Sequence, residues 1–162
     1  MNPQIRLEVS IDHQRLDVFE ARRLLASYAV STAAKGVGFV EGSYRTPVGR
    51  FRVCEKIGAG EPLGTVFRGR VVCGIWRPGD PAEDDMVLTR ILRLDGLDAD
   101  NANTLRRYIY IHGTHREELI GSPASHGCIR LKNAEMLELF EQVPEGAEVL
   151  IHPPQQSVAI CD

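Results

Sequence analysis

The sequence has no hydrophobic run long enough to cross a membrane. No stretch of its 162 residues approaches the ~20 consecutive apolar residues that span a bilayer. Its beginning, MNPQIRLEVSIDHQRLDVFE, carries charged residues where a secretory signal peptide requires an uninterrupted apolar segment. From these residues we expect a cytoplasmic protein with no membrane partner, or a periplasmic protein if the N-terminus is misassigned.

The sequence also lacks an excess of charge of one sign. Its 19 basic and 22 acidic residues give a net charge of −3, which provides no overall attraction for a phosphate backbone or an anionic lipid surface. Nucleic acid is therefore not an expected partner. Internal repeats and low-complexity segments are absent as well. At roughly 150 residues per domain, we expect a single domain over residues 1–152 and a C-terminal tail over residues 153–162.

Cysteine is scarce, and the cysteines show no pairing pattern. Cys54, Cys73, Cys128 and Cys161 form no CxxC pair, and their separations of 19, 55 and 33 residues match no standard zinc-binding spacing. Disulfides are disfavoured in a reducing compartment. Cys54 and Cys73 are predicted to be small buried residues inside strands, whereas Cys161 lies in the polar tail.

Alternating apolar residues predict a chain built mostly of strands. In IRLEVSI, apolar residues alternate with polar or charged ones, which is the period of a half-buried strand. The short DHQ linker that follows predicts a hairpin. KGVGFVEGSYRTPVGRF and RPGDPAEDD are predicted to be loops, because they have no periodicity and are rich in glycine, proline or charge. The further strand-like segments are QRLDVFE, RLLASYAVS, FRVCEKI, GTVFRGRVVCGIW, MVLTRILRLDGL, RRYIYIH and AEVLIH.

One segment, NAEMLELFEQV, has the period of a helix. Asn133 is predicted to cap its N-terminus through the side chain. Its apolar stripe comprises Met136, Leu137, Phe140 and Val143. The sequence therefore predicts a mainly β fold with one or two helices.

The strand end YIYIH carries the first candidate for chemistry. Tyr110 and His112 point to one face of this strand and the two isoleucines point to the other. Burial of the isoleucines is expected to turn His112 toward a cleft at the end of the strand.

The segment SPASHGCIRLKN carries the second candidate, Cys128. His126 lies fourteen residues after His112 and Cys128 sixteen residues after it, so a chain reversal through EELIGSPA would return the cysteine beside His112. A thiol with a pKa near ~8.5 is mostly protonated at neutral pH, and an imidazole that takes its proton produces a thiolate nucleophile. Such a pair is typical of acyl transfer, but the spacing alone does not choose between His112 and His126 as the base.

Two neighbours of Cys128 fit the same chemistry. Gly127 lets the backbone approach a substrate closely, and consecutive N–H groups in such a turn can stabilise a tetrahedral oxyanion. Arg130 offers a fixed cation for a carboxylate.

Each residue also has a simpler interpretation. Taken alone, His112 fits a hydrogen-bonded strand-end histidine, His126 a turn residue and Cys128 a buried thiol. A zinc site is a further alternative, with His112, His115, His126 and Cys128 as ligands. The HxxH spacing here straddles Gly113 in a loop, whereas the HExxH zinc motif is presented by a helix. We therefore expect no metal.

Together, these residues resemble a known signature. IHGTHREELIGSPASHGCIRLKN is similar to the catalytic signature of the L,D-transpeptidase family, a histidine-glycine followed by serine-histidine-glycine-cysteine and a hydrophobic residue-arginine pair. QRLDVF, VSTAAKGVG and SYRTPVGRF resemble the family's approach to a threonine-proline-x-glycine turn, here Thr46 to Gly49. The resemblance covers the chain from about Ile5 to Ile151.

The resemblance implies a β-sandwich-like L,D-transpeptidase catalytic domain that needs no cofactor. Its cysteine attacks the amide between the L-centre of a diamino acid and a D-alanine in a peptidoglycan stem peptide, and carbapenems are expected covalent inhibitors. Carried over to this sequence, Cys128 is the nucleophile and His112 its base. The carbonyl of Gly113 orients the imidazole, and Tyr110 is expected to contact the substrate.

The same resemblance gives expectations for the turn around the nucleophile. His126, Gly127 and the Cys128 amide are expected to border the oxyanion site. Arg130 is expected to hold substrate or shape the pocket. Ser125 is expected to brace the turn rather than to react.

The reaction outcome has three candidates. Exported family members carry a signal peptide or membrane anchor, and this sequence shows neither, so the favoured expectation is an L,D-carboxypeptidase in murein recycling. Such an enzyme uses water to convert a tetrapeptide to a tripeptide and D-alanine. The alternative is an L,D-transpeptidase that forms peptidoglycan cross-links or exchanges D-amino acids. The second alternative is a non-catalytic module that binds murein peptides.

Overall fold

The computed structural model describes residues 4–83 and 85–155. Ten strands and one α-helix, α1 (Asn133–Gln142), follow one another in these ranges, with a 3-10 helix at Glu117–Leu119. The strands are β1 (Ile5–Ser10), β2 (Arg15–Glu20), β3 (Arg23–Ala29), β4 (Gly49–Ile57), β5 (Thr65–Arg68), β6 (Val71–Ile75), β7 (Val87–Gly96), β8 (Tyr110–Gly113), β9 (Ile129–Leu131) and β10 (Glu148–His152). The predicted mainly β fold with one or two helices is confirmed.

The strands form one mixed, branched sheet. Its main path runs β3, β2, β1, β10, β4, β7, β5 and β6, and β8 branches from β7 and carries β9 on its other side. The pairs β1–β10 and β8–β9 are parallel, and the pairs that join the other neighbours are antiparallel. The branch matters for chemistry because it lays β8 and β9 side by side.

The main hydrophobic core is built from the apolar faces of the strands and one face of α1. Leu7 and Val9 of β1 are fully buried, as their alternation predicts. Helix α1 lies against β7 and β8. Separately, no helix in the described ranges is long and apolar enough to cross a bilayer. Leu139, not Leu137, completes the buried stripe of α1, because positions i, i+3, i+4 and i+7 share one helical face.

Two predicted strands differ from the observed ones. GTVFRGRVVCGIW forms a hairpin in which β5 and β6 pair antiparallel, and its turn residues Gly69 and Arg70 have φ values of 54° and 67°. RRYIYIH is a strand only from Tyr110 onward, because Tyr108 has a φ of 57° in the preceding turn. A residue in the left-handed region interrupts the regular extended conformation, and here the strand begins only after it.

The cysteines of the described residues are all free. Cys54 in β4 is half-buried, whereas Cys73 in β6 is exposed. The prediction of a buried Cys73 is wrong because β6 is the edge strand of the sheet and all five of its residues are exposed. Cys161 lies outside the described residues.

Candidate active site

Strands β8 and β9 bring the candidate catalytic residues together. They pair in parallel, with Ile111 opposite Ile129 and His112 opposite Arg130. Both isoleucines are fully buried in the main core, and side chains alternate along a strand. His112 and Arg130 therefore lie side by side on the other face, and Cys128 lies on that face just before β9.

Cys128 is half-buried, and its thiol lies against the backbone of Tyr108 and of Tyr110, the first residue of β8. Its sulfur accepts a hydrogen bond from the Tyr110 N–H at 3.3 Å and lies 3.4 Å from the Tyr108 carbonyl oxygen. Loss of water around the thiol, reinforced by the negative charge of Asp85, raises the pKa of Cys128 to about 12. The thiol of the free protein is therefore protonated at neutral pH, and a base must take its proton for it to react.

The His112 imidazole is buried and held in one orientation. Only 1% of the residue is exposed, so the expectation that it faces an open cleft is wrong. Its Nδ1 lies 2.6 Å from the Gly113 carbonyl oxygen. Because a carbonyl oxygen can only accept, Nδ1 carries the hydrogen and Nε2 has the free lone pair.

The electrostatics keep that imidazole neutral. Burial lowers the pKa of His112, although the Asp85 charge and the Gly113 carbonyl oppose the shift. Within residues 4–83 and 85–155, Nε2 has no hydrogen-bond partner. A neutral ring with a free Nε2 on the face that carries Cys128 is in the state required of a general base.

Gly113 is fixed by a polar cluster behind it. The side chain of Asn133 donates to the Thr114 carbonyl at 2.7 Å and accepts from the Thr89 hydroxyl at 2.6 Å, and a β-carbon on Gly113 would overlap Asn133 Oδ1.

The prediction that Asn133 caps α1 is wrong. The Asn133 N–H is capped instead by the carboxylate of Glu117 at 2.7 Å, a charge that the N-terminus of a helix favours.

The turn before β9 is braced by Ser125. Its hydroxyl donates to the Cys128 carbonyl at 2.6 Å and accepts the Gly127 N–H at 3.2 Å. The Gly127 N–H is thus already engaged and is not a free oxyanion donor. The Cys128 N–H has no partner in the described part of the chain, which leaves it as the donor that this turn offers to a substrate.

Arg130 lies beneath the site and pairs with a residue that sequence reasoning missed. It is 3% exposed, and its Nη1 lies 3.3 Å from Asp85 Oδ1. Its Nε and Nη2 have no partner among the residues that the structure describes. This edge of the guanidinium has the geometry that binds a carboxylate through two parallel hydrogen bonds. Asp85 carries no sequence signal, because it lies in the loop RPGDPAEDD, far along the chain from Arg130.

His126 and Tyr110 occupy different positions around the thiol. The His126 side chain is 46% exposed, its Nδ1 lies 3.6 Å from Asp85 Oδ2, and its ring contacts Tyr44. Tyr110 is buried, and its hydroxyl accepts a hydrogen bond from Arg70 at 3.2 Å. His126 thus lies at the surface of the site, and the Tyr110 ring forms part of its wall.

The alternative zinc ligands are not gathered. The ring of His115 packs edge-on against Trp76, with centroids 5.9 Å apart. Among the residues described, no group of three His, Cys, Asp or Glu side chains comes together in a metal-binding arrangement.

The two shifted pKa values predict how stability depends on pH. As the pH falls, His112 takes up a proton at a higher pH in the unfolded chain than in the folded protein. Its contribution to the free energy of unfolding is therefore lost as the pH falls below about 6.5. The unfolded chain also ionises its cysteine first, so the Cys128 contribution is lost as the pH rises above about 8.5, by up to ~1.4 kcal/mol per pH unit.

Chemical unfolding between pH 7 and pH 10 measures the alkaline part of this prediction. The Cys128→Ala variant has no thiol to titrate and should lose less stability over that range than the wild type. Identical alkaline slopes for the two proteins would contradict the raised thiol pKa.

The chain matches the family model for the YkuD L,D-transpeptidase catalytic domain over residues 4–151. YqjB of Bacillus subtilis (strain 168), a protein named as an L,D-transpeptidase, is 45% identical over 58 residues, which are 36% of this chain and 33% of YqjB. YbiS of Escherichia coli (strain K12), also named as an L,D-transpeptidase, is 49% identical over 43 residues, 26% of this chain and 14% of YbiS. The matched segments thus span a third or less of these two relatives.

Solved structures show the same fold. The L,D-transpeptidase (residues 123–326) from Xylanimonas cellulosilytica superposes with a TM-score of 0.60 at 22% identity, over 94% of this chain and 62% of that one. The LD transpeptidase LdtMt1 in complex with imipenem gives a TM-score of 0.57 at 19% identity, over 93% of this chain and 59% of that one. At these sequence identities, the similarity to the two solved structures shows a shared fold.

Proposed function

The chain belongs to the L,D-transpeptidase catalytic-domain family, and from this membership we propose that it transfers the acyl part of a peptidoglycan stem peptide through Cys128. The observation that carries the proposal is the arrangement on β8 and β9. A protonated thiol and a neutral, oriented imidazole lie on one face of two neighbouring strands. Within the described residues, His112 Nε2 has no hydrogen-bond partner, which leaves its lone pair available to accept the thiol proton.

The first half of the reaction follows from these protonation states. His112 Nε2 takes the thiol proton as the sulfur attacks the carbonyl carbon between the L-centre and the D-alanine. The Cys128 N–H donates to the oxygen that gains negative charge. The carbon–nitrogen bond then breaks, His112 returns the proton to the leaving amine of D-alanine, and a thioester to Cys128 remains. No resting thiolate is needed, because proton transfer accompanies the attack.

Arg130 supplies the charge that a stem peptide requires. A stem peptide is rich in carboxylates, and the unpartnered Nε–Nη2 edge of Arg130 lies on the same face as the nucleophile. Asp85 holds the guanidinium through Nη1, and the Nε–Nη2 edge is buried without a partner in the described part of the free protein, so a substrate carboxylate reaches it only when the chain around it moves. A carboxylate bound there would fix the peptide relative to the thiol.

In the second half of the reaction the thioester is attacked by an acceptor, and the proposed acceptor is water. Water is present at ~55 M, whereas an amine acceptor competes only where a groove raises its effective concentration. The product is then a tripeptide, as in an L,D-carboxypeptidase of cytoplasmic murein recycling. An amine acceptor would make the enzyme an L,D-transpeptidase.

The acidic loop gives little help in choosing between the acceptors. In RPGDPAEDD, Asp80 accepts the Arg77 N–H at 2.9 Å, Glu83 pairs with Arg68 at 2.7 Å, and Asp85 pairs with Arg130. The two arginine pairs reduce the negative charge that this loop would present to an anionic acceptor stem. The choice of water therefore depends on its concentration.

Product analysis with a purified tetrapeptide tests the proposal. We expect a tripeptide and free D-alanine, little exchange when a labelled D-amino acid is supplied, and no product from Cys128→Ala. Cross-linked dimers, efficient label incorporation or recovery of the native protein from the periplasm would contradict the carboxypeptidase and leave the transpeptidase. Tight tetrapeptide binding without turnover would instead identify a binding module.

A further inference from the structure

Thr46 is a buried hydroxyl that contacts the turn carrying Cys128. It lies in the glycine-rich loop before β4 and is 0% exposed. Its Oγ1 accepts a hydrogen bond from the Ala33 N–H at 3.0 Å and lies 2.9 Å from the Gly127 carbonyl oxygen. Because a backbone N–H can only donate and a carbonyl can only accept, the single hydrogen of this hydroxyl is directed at Gly127.

Thr46 itself is held in place by the backbone of its loop. Its N–H donates to the Gly36 carbonyl at 3.0 Å, and its carbonyl accepts from the Gly38 N–H at 3.0 Å. Arg107 donates to the Arg45 carbonyl at 2.6 Å, directly before Thr46. The hydroxyl is therefore a fixed donor.

The polar groups of the turn are divided between two hydroxyl side chains. Ser125 satisfies the Gly127 N–H and the Cys128 carbonyl, and Thr46 satisfies the Gly127 carbonyl. Within the described ranges, the remaining group of the Gly127–Cys128 peptide unit, the Cys128 N–H, has no partner.

The planarity of the peptide links Thr46 to that N–H. The Gly127 carbonyl and the Cys128 N–H belong to one planar trans unit and point in opposite directions. Gly127 has a φ of 126° and no β-carbon, so its own conformational preferences restrict the orientation of this unit weakly. A hydrogen bond that fixes the carbonyl on one side therefore fixes the direction of the N–H on the other.

We propose that Thr46 is a positioning residue that aims the Cys128 N–H at the carbonyl oxygen of the substrate. This inference rests on the proposed function, which supplies the developing oxyanion. A donor that is already oriented stabilises that charge without reorganisation during the reaction, and loss of such a donor typically lowers kcat by roughly 10²–10³-fold. Misdirecting the donor without removing it should have a smaller effect, about 10- to 100-fold.

The matched variants Thr46→Val and Thr46→Ser test the proposal. Valine keeps the shape of the side chain and loses the hydroxyl, whereas serine keeps the hydroxyl. Two rates are compared. One is the rate at which a carbapenem acylates Cys128, which is monitored by intact-protein mass spectrometry, and the other is the rate at which iodoacetamide alkylates Cys128. Acylation passes through an oxyanion, and alkylation by direct displacement does not.

We expect Thr46→Val to lower the acylation rate about 10- to 100-fold while alkylation changes less than about threefold. Thr46→Ser should stay within about threefold of the wild type in both reactions. Valine leaves the Ala33 N–H and Gly127 carbonyl unsatisfied, which destabilises the fold. If that variant does not fold, Thr46→Ala takes its place with the same expected rates, because its smaller side chain leaves room for a water to satisfy the two backbone groups without a fixed donor to Gly127.

Two results would overturn the inference. One is wild-type acylation in the variant without the hydroxyl, and the other is an equal loss of acylation and alkylation, which would indicate a purely structural role. If either result is obtained and the carbapenem does not acylate Cys128→Ala, the proposed function stands and only the role of Thr46 is rejected. Failure of the proposed function itself would appear as acylation that persists in Cys128→Ala.

Discussion

Cys128→Ala is expected to lower turnover of a stem tetrapeptide by at least about three orders of magnitude, because it removes the nucleophile of a covalent mechanism. The fold should remain, since Cys128 precedes β9 and the buried pair Ile111 and Ile129 stays in register. The measurement is tripeptide release per enzyme, together with the far-UV circular dichroism of the variant. Turnover within about tenfold of the wild type would contradict covalent catalysis by this residue.

Cys73→Ala is the matched control for this variant. Cys73 is also a free cysteine, but it is exposed on the edge strand β6. Its replacement should leave turnover unchanged. A loss of activity in Cys73→Ala would indicate that the reactive thiol lies on β6 and not in the turn before β9.

His112→Ala should be nearly as severe as loss of the cysteine. The thiol has a pKa of about 12, so without a base almost none of it is ionised at neutral pH. His112 is the buried imidazole with a free Nε2. General base catalysis contributes typically 10²–10⁴-fold, and we expect a loss of about that size in kcat.

His126→Ala provides the comparison, because it removes an imidazole from the same site. The His126 ring is half exposed, and its Nδ1 faces Asp85. Its replacement should lower kcat by less than about tenfold, since it contributes at most to the rim of the oxyanion site. If His126→Ala proved the more damaging variant, the two histidines would exchange roles.

Local patterns predicted most of the strands. The alternation around Leu7 and Val9 was sufficient for β1, because period-2 burial is encoded within a few consecutive residues. The histidine and cysteine of the site were identified in the same way, from a short signature that lies within one segment of the chain.

Features that depend on long-range pairing were not predicted. Strand β9 has three residues and is a strand only because β8 lies beside it. Asn133 looked like a helix cap, but Thr114 and Thr89 compete for its side chain from elsewhere in the fold. Asp85 reaches Arg130 across 45 residues of sequence, and no local pattern encodes that contact.

The raised thiol pKa is a further property that the sequence does not contain. Proximity to an imidazole indicated that the thiol could be activated, but the degree of burial decides the protonation state of the free protein. Because burial raises the pKa of Cys128 and lowers that of His112, both groups are neutral before substrate binds.

Intact-protein mass spectrometry after incubation with a carbapenem measures whether Cys128 accepts the acyl group. A family neighbour has been solved in complex with imipenem, which makes this compound a suitable probe. We expect one carbapenem per chain, located on Cys128 by peptide mapping, and none on Cys128→Ala. An adduct on Cys54 or Cys73, or an adduct that persists in Cys128→Ala, would contradict this expectation.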